Sequence, residues 1–472
     1  MNDFDIVIGL EVHTQLNTES KIFCPCSTDS SSPPNTNICP VCCGYPGILP
    51  VFNKKVLELA TRVCLALSCK INKYIYFERK NYFYPDLPKD YQISQYKMPL
   101  GQAGFVETLS GKKIRVNRVH MEEDAGKLIH KQDYSLVDFN RTGTPLLEIV
   151  SEPDIRSPEE AFDYLSQLKL ILRYIGASDC DMEKGSLRCD ANISLRKKGE
   201  AKLGTKVELK NMNTFRGVKA ALEFEAKRQK KALETGEKII QQTRLWDVDK
   251  QKTVIMRTKE EAHDYRYFPE PDLLDFSVSD ELIEAQKLLV EELPLKRRAR
   301  ILREYKLSQK ETDIIIANRI LADFFEEAVN ILPQPGDISN WLLGPFLEQV
   351  NSLEGGFDSV KISAQNFAKI VKYFTEGKLN NLAAKKVLSL VITTDEDPDS
   401  VIEREKLVQV SGEDELDSFI EEVVSQNKAA VEEYLGGKQQ AIMFLVGQVM
   451  KKTKGKANPK VARQMLERRI KA

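Results

Sequence analysis

Glu11, His13 and Gln15 recur at every second position in Ile6-Val7-Ile8-Gly9-Leu10-Glu11-Val12-His13-Thr14-Gln15, with Leu10 and Val12 between them. Side chains on a strand alternate between faces, so the acid, the imidazole and the amide share one side. Arg188-Cys189-Asp190-Ala191-Asn192-Ile193-Ser194-Leu195 has the same texture, with Arg188, Asp190, Asn192 and Ser194 on the polar side. An ordinary solvated face alternates too. What points to an active site is the mixture of carboxylates, one histidine, arginine and asparagine. Further donors stand in His120-Met121-Glu122-Glu123-Asp124-Ala125-Gly126-Lys127 and in Gly143-Thr144-Pro145-Leu146-Leu147-Glu148-Ile149-Val150-Ser151-Glu152. Glu148 lies inside an apolar run, where an unpaired charge is costly. Oxygen ligands with one imidazole suit magnesium or manganese better than zinc, and enzyme-bound magnesium usually bridges to substrate phosphates. Lys80, Arg188, Lys206 and Lys210 are the cations on offer for phosphate, and Glu208 and Lys210 share a strand face. Each residue also has a blander reading. Glu122, Glu123 and Asp124 would serve as a solvated charge run, and His120 as a structural histidine. No Walker motif, Gly-x-Ser-x-Gly elbow or dinucleotide fingerprint accompanies them.

A second chemistry sits near the N-terminus. Cys24-Pro25-Cys26 and Cys39-Pro40-Val41-Cys42 are two close thiol pairs joined by a Ser-, Pro- and Asn-rich loop. Such pairs commonly build a tetrahedral sulfur site for zinc. The loop has no hydrophobic pattern of its own, so a metal clip would order it. Four sulfurs leave no open position, which makes the expected zinc structural. Cys43 competes with Cys42 for the fourth place, although Cys42 has the better spacing. Four reduced, unliganded thiols is the plainer alternative. Cys64 and Cys189 sit on apolar faces and read as core thiols.

The elements that position these groups follow from periodicity. The first 290 residues or so mix short strand patterns with Gly and Pro turns and a few helices. Pro158 to Tyr174 reads as a helix, with Ala161, Phe162, Leu165, Leu168 and Leu172 at helical spacing, Ser157 as N-cap and Pro158 at N1. A second helix is expected from about Arg216 to Thr235. Asp264-Tyr265-Arg266-Tyr267-Phe268-Pro269-Glu270-Pro271-Asp272 reads as a packed extended loop. Beyond Ser279 helical periodicity dominates, as in Glu311 to Leu332 and Ser363 to Lys372, the texture of helical bundles. From Asp395 to Glu422 there are 12 acidic and 2 basic residues, whereas Lys451 to Ala472 holds 9 basic and 1 acidic.

With 472 residues, 42% apolar and 29% charged, the chain fits a soluble globular protein of two to four domains. Its net charge of −1 gives no bulk attraction for a polyanion, so any such site must be a local patch. No apolar run approaches the ~18 residues of a membrane span. The acidic start leads straight into a strand pattern, so no secretory signal is expected, and a cytoplasmic location follows.

These segments resemble the B subunit of the aspartyl/glutamyl-tRNA amidotransferase family. The likeness runs through Ile8–His13, Arg79-Lys80-Asn81-Tyr82-Phe83-Tyr84-Pro85-Asp86, Gln92–Gln95, His120–Lys127, Asp138–Asp154, Gly185–Ser194 and Asp264–Asp272. It continues in Phe444–Met450 and Ala457-Asn458-Pro459, and so spans essentially the whole chain. The resemblance implies an α+β protein in three parts: an antiparallel-sheet cradle domain with a glutamine synthetase-like catalytic core over 1–293, an all-α domain over 294–406, and a small helical YqeY-like tail over 407–472. It implies ATP- and Mg2+-dependent activation of the side-chain carboxylate of Glu-tRNA(Gln) or Asp-tRNA(Asn) as an acyl phosphate. Ammonia released by a glutaminase partner, the A subunit, then gives the amide. A small third partner, the C subunit, holds the other two together in a heterotrimer. The family's magnesium ligands fall on Glu11, His13, Glu123 and Glu148, and its catalytic residues on Lys80, Tyr82 and Glu123. Arg188, Asp190, Asn192, Lys206 and Lys210 are assigned to nucleotide contact. Cys24, Cys26, Cys39 and Cys42 match zinc cysteines that some members carry and others lack, so the chemistry should not require zinc.

The tail supports a tRNA role independently. Lys451, Lys452, Lys454, Arg463, Arg468 and Arg469 would form a phosphate-contacting surface that reads shape and backbone rather than bases. A solvated basic helix that binds nothing is the simpler alternative. For the whole chain the rival is a non-catalytic zinc-containing tRNA-binding adaptor, which has no reason to bury Glu148 among other carboxylates. A weaker rival is a carboxylate-pair hydrolase, which would turn over without ATP. No glutaminase motif is present, so ammonia must come from a partner.

Overall fold

A computed structural model describes residues 3–29, 31–258, 265–407, 413–453, 457 and 459–471. The chain divides into two compact units, Met1–Arg297 and Arg298–Ala472. Among the described residues, no helix is long and apolar enough to cross a membrane.

Alternation builds the first unit. Five strands carry the site: β1 (Phe4–Gln15), β2 (Lys113–Glu123), β3 (Pro145–Ser151), β4 (Leu187–Lys197) and β5 (Val207–Lys210). They form the middle of a nine-stranded sheet. Its order is Lys252–Thr258, Gln242–Asp247, β5, β4, β1, β3, β2, Gly101–Glu107 and Lys70–Ile71. β5 and Gln242–Asp247 run parallel, while the site strands pair antiparallel with one another. On β1 the residues Ile8, Leu10 and Val12 are buried, as are Cys189, Ala191 and Ile193 on β4. Three helices cover that apolar face: α1 (Lys54–Ala66), α2 (Pro158–Tyr174) and α3 (Phe215–Glu234). The opposite face is left to the polar residues, the half-covered arrangement open to antiparallel sheets.

The helix signals translate directly. Ser157 accepts from the Glu160 N–H and caps α2 with Pro158 in its first turn, and Thr214 does the same for α3 through Gly217. Phe162 departs from the expected core set: it is exposed and meets Phe215 edge to face at 6.3 Å. Tyr265 to Asp272 contributes a two-residue strand, Phe268–Pro269, beside Glu78–Asn81, while Asp264 lies outside the described residues.

The second unit is helical. The expected run from Glu311 to Leu332 is two helices, Gln309–Ile316 and Arg319–Ile331, broken where Asn318 caps the second. Ser363 caps Ala364–Thr375. Residues 416–470 carry a core of their own, with Leu416, Ile420 and Val423 against Ile442, Leu445, Val449 and Leu466.

Candidate active site

Strand register decides which polar groups meet. His13 lies opposite Glu148 on β3 and Arg188 on β4, Glu148 lies opposite His120 on β2, and Glu11 lies opposite Asp190. Directly opposed residues on one sheet face have Cβ atoms about 5 Å apart, close enough for their functional groups to interact. His13 Nε2 is 3.3 Å from Glu122 Oε1 and 3.4 Å from Glu148 Oε2, and His120 Nε2 is 2.9 Å from Glu148 Oε2. One donor atom from each of His13, Glu122 and Glu148 lies within 4.8 Å of the others, a spacing that fits a single cation. Two carboxylates and one imidazole are a donor set for a hard or borderline divalent ion.

The adjacent Glu123 does not join them. It follows Val119 and Met121 onto the other side of β2, where Oε1 takes a bond from Lys89 Nζ at 2.5 Å and from the Ile93 N–H at 2.8 Å. The expectation that Glu123 stands with Glu11, His13 and Glu148 is therefore corrected: Glu122 occupies that place, because alternation turns neighbouring residues to opposite faces. Glu11 shares the face but stands beside the cluster, where it accepts from Asn192 Nδ2 at 2.9 Å. Burial and then Glu148, Glu208 and Asp190 push its carboxyl up.

A cavity of about 410 Å³ opens over this face. Glu11, His13, Lys80, Tyr82, Glu148, Arg188, Asp190, Asn192, Lys206 and Lys210 all line it, whereas Gln15 and Ser194, which alternation also placed with them, do not. Several of the cations there are already engaged. Arg188 forks onto Asp124, whose carboxylate also accepts from Gln15 and lies 3.3 Å from Arg141 Nε. Lys210 Nζ lies 2.6 Å from Asp190 and 3.0 Å from Glu208, and despite burial these acids hold its ammonium well above the usual lysine range. Lys80 differs. Half-buried on Glu78–Asn81, it has no carboxylate in ion-pair contact among the described residues and lies over the Tyr265 and Tyr82 rings at 5.1 and 5.8 Å. Burial opposes its charge, but Glu122 and Glu148 prevail and raise it. Glu122 feels the converse: burial pushes up, while Lys80 and His13 pull harder and leave it at about 2. His13 is likewise raised well above an ordinary histidine, Glu148 and Glu122 outweighing burial. Tyr82 donates to Gln92 Oε1 at 2.8 Å.

The sulfur cluster is also assembled. One sulfur from each of Cys24, Cys26, Cys39 and Cys42 lies within 4.8 Å of the others, and Cys43 is outside the set. Cys42 Sγ is 3.2 Å from the Cys39 N–H and 3.6 Å from the buried Lys21 Nζ. Donation from Cys24 is the largest influence on Cys42, whose thiol is drawn down to about 4.

The basic tail is less bare than its composition. Lys452 pairs with Glu422, Arg463 with Glu467 at 2.8 Å and Arg469 with Glu421 at 2.8 Å. Lys451 is exposed, and Lys454 lies outside the described residues. Sequence reasoning named Glu122 and Asp124 only within a donor segment that would also serve as a charge run, chose Glu123 as the ligand, and did not single out Arg118. The alternation of Val119 and Met121 was the available signal for Glu122.

The chain matches the GatB/GatE catalytic domain over residues 6–284 and a second GatB domain over residues 323–470. It is 50% identical to the B subunit of the aspartyl/glutamyl-tRNA(Asn/Gln) amidotransferase of Thermoanaerobacter pseudethanolicus, over 99% of both chains. The protein of the same description from Carboxydothermus hydrogenoformans is 46% identical over 100% of this chain and 99% of its own, and that from Persephonella marina 48% over 99% and 100%. A cavity lined by facing carboxylates, imidazole and lysine thus lies within the matched catalytic domain, and the chain belongs to the family of aspartyl/glutamyl-tRNA(Asn/Gln) amidotransferase B subunits.

Proposed function

We propose that this chain binds ATP and Mg2+ in the cavity, converts the side-chain carboxylate of Glu-tRNA(Gln) or Asp-tRNA(Asn) to an acyl phosphate with release of ADP, and transfers that acyl group to ammonia with release of phosphate. The observation that carries the reading is the meeting of His13, Glu122 and Glu148, from three neighbouring strands, in a cavity where Lys80 has no carboxylate in ion-pair contact among the described residues. His13, Glu122 and Glu148 would hold the cation, with Glu11 as a further carboxylate beside them. A divalent ion there would neutralise phosphate oxygens while the phosphoryl group moves.

The protein's own groups supply the rest. His120 donates to Glu148 and so fixes a ligand's orientation, the usual role of a partner behind a metal ligand. Lys80, kept charged by Glu122 and Glu148, is placed to meet negative charge gathering on the acyl phosphate. Tyr82, anchored on Gln92, walls the cavity beside it. Arg188, Asp190, Asn192, Lys206 and Lys210 line the rest and are assigned to the nucleotide. Phosphoryl transfer depends mostly on positioning and charge neutralisation, which such a wall provides.

Ammonia is taken to come from a glutaminase partner, with a small third protein completing a cytoplasmic heterotrimer. Zinc on Cys24, Cys26, Cys39 and Cys42 is assigned a structural role. The segment after residue 406 is taken as a tail domain that contacts tRNA through Lys451, Lys452, Lys454, Arg463, Arg468 and Arg469. The test is Glu148→Gln in the assembled enzyme. Glutamine hydrolysis should persist while ATP-dependent amidation of Glu-tRNA(Gln) and Asp-tRNA(Asn) falls at least 100-fold, on the order of a lost electrostatic stabiliser. Undiminished amidation would overturn the reading.

A further inference from the structure

Arg118 lies two residues before His120 and four before Glu122 on β2, so the three side chains share the cavity face. Its environment differs from that of Arg188. Arg188 is committed to Asp124, and Lys210 to Asp190 and Glu208. Arg118 has no carboxylate partner among the described residues, although the same cavity is lined by Glu11, Glu122, Glu148 and Glu208. Its Nε is enclosed and has no hydrogen-bond acceptor among the described residues. What holds the guanidinium is aromatic: it lies over the Tyr96 ring at 5.5 Å, and Tyr96 stacks on Tyr267 with centroids 4.6 Å apart and planes 12° from parallel. A guanidinium has five N–H donors in a rigid fork and cannot lose its charge in a protein. Placed on a ring at the cavity wall, the fork meets no acid among the described residues.

We propose that Arg118 binds an oxyanion of the reacting substrates, either the side-chain carboxylate that is to be activated or the phosphoryl group that is transferred to it. This rests on the function proposed above. Both are planar or trigonal sets of oxygens that suit two parallel N–H bonds from one arginine. Both must also come to the face that bears His13, Glu122 and Glu148. Arg118 then acts as a binding residue of the cavity. Tyr96 and Tyr267 act as its positioning residues, holding the fork without competing for its charge.

The experiment uses the assembled heterotrimeric enzyme with Arg118→Lys, Arg118→Ala and, as a control on the cavity, Glu148→Gln. Amidation is measured while ATP and misacylated tRNA are varied separately. Arg118→Ala is expected to lose at least 100-fold in kcat/KM, and Arg118→Lys, which keeps charge and loses the fork, at least 10-fold. Added guanidinium ion should restore part of the activity of Arg118→Ala, a rescue that a packing role would not give. A rise confined to the KM for ATP assigns the phosphoryl group. A loss confined to the misacylated tRNA, with the KM for ATP unchanged, assigns the carboxylate. If both Arg118 variants keep kcat/KM for each substrate within twofold while Glu148→Gln is inactive, Arg118 only packs and the proposal falls, with the reading of the cavity intact. If Glu148→Gln is active as well, that reading fails and takes the proposal with it. Should Arg118→Ala fail to assemble, Arg118→Lys decides alone by the same 10-fold criterion.

Discussion

Lys89→Met tests the assignment of Glu123 to the reverse of β2. Lys89 Nζ and Glu123 Oε1 are 2.5 Å apart, with side chains only 5% and 2% exposed. Removing one member of a buried pair strands the other charge and costs about 3–5 kcal/mol. The Ile93 N–H at 2.8 Å still serves Glu123, so the lower end, about 3 kcal/mol, is expected. At roughly 2–4 °C per kcal/mol for a unit of this size, the transition that unfolds the N-terminal unit should drop by roughly 6–12 °C. A stranded charge is the cause, so Lys89→Met with Glu123→Leu should recover at least half of the loss. Calorimetry on the full chain reads both. Manganese affinity, followed by electron paramagnetic resonance, should stay within about threefold of the parent in Lys89→Met, because the pair faces away from His13, Glu122 and Glu148. A loss below about 1 kcal/mol, or a double variant no better than the single, would refute the reasoning.

Other consequences are quicker to check. In zinc-stripped protein, Cys42 should react with iodoacetamide at pH 6 as a thiolate, because its thiol is held at about 4. The sign follows: a folded value below the unfolded one stabilises fully above the ordinary thiol range, and that contribution is lost as pH falls through about 4. Mass spectrometry showing a tenfold slower reaction for each unit below pH 8 would contradict it. Lys21→Met removes the cation 3.6 Å from Cys42 Sγ and should weaken zinc at least 10-fold in a chelator competition, a typical cost for a partner behind a metal ligand. Unchanged affinity would show that Lys21 is only a filler. In the tail, Glu421→Gln with Glu422→Gln should release Arg469 and Lys452 and tighten tRNA binding at low salt, with a steeper salt slope. Filter binding that finds no change would leave those two cations without a part in the contact.

The fold was legible where local and long-range signals agree. Ser157, Pro158 and the apolar spacing to Leu172 give α2 its bounds, since cap chemistry and burial select the same residues. The break at Asn318 was hidden, because apolar spacing continues on both sides of it and only the side-chain bonds to Ile320 and Leu321 disclose a new N-cap. The site was half legible. Alternation put Glu11 with His13 and Arg188 with Asp190 on the right face, for the simple reason that every second side chain points the same way. Val119 and Met121 mark the core side next to Glu122, but Ile114 and Val116 point the alternation the other way, because the irregular pairing near Val150 changes parity along β2. Pairing between distant strands is not written in either strand alone. Arg118 escaped notice for a related reason: nothing in its neighbourhood announces the missing acid, which only the folded cavity reveals.

The most direct measurement of the central claim is a crystallographic anomalous map of the assembled enzyme soaked with Mn2+ and a non-hydrolysable ATP analogue. The account predicts a manganese peak bonded to His13 Nε2 and to carboxylate oxygens of Glu122 and Glu148, with phosphate oxygens on its open side. A peak on Glu123 with Glu122 unengaged, or no peak among these strands at saturating metal, would contradict it.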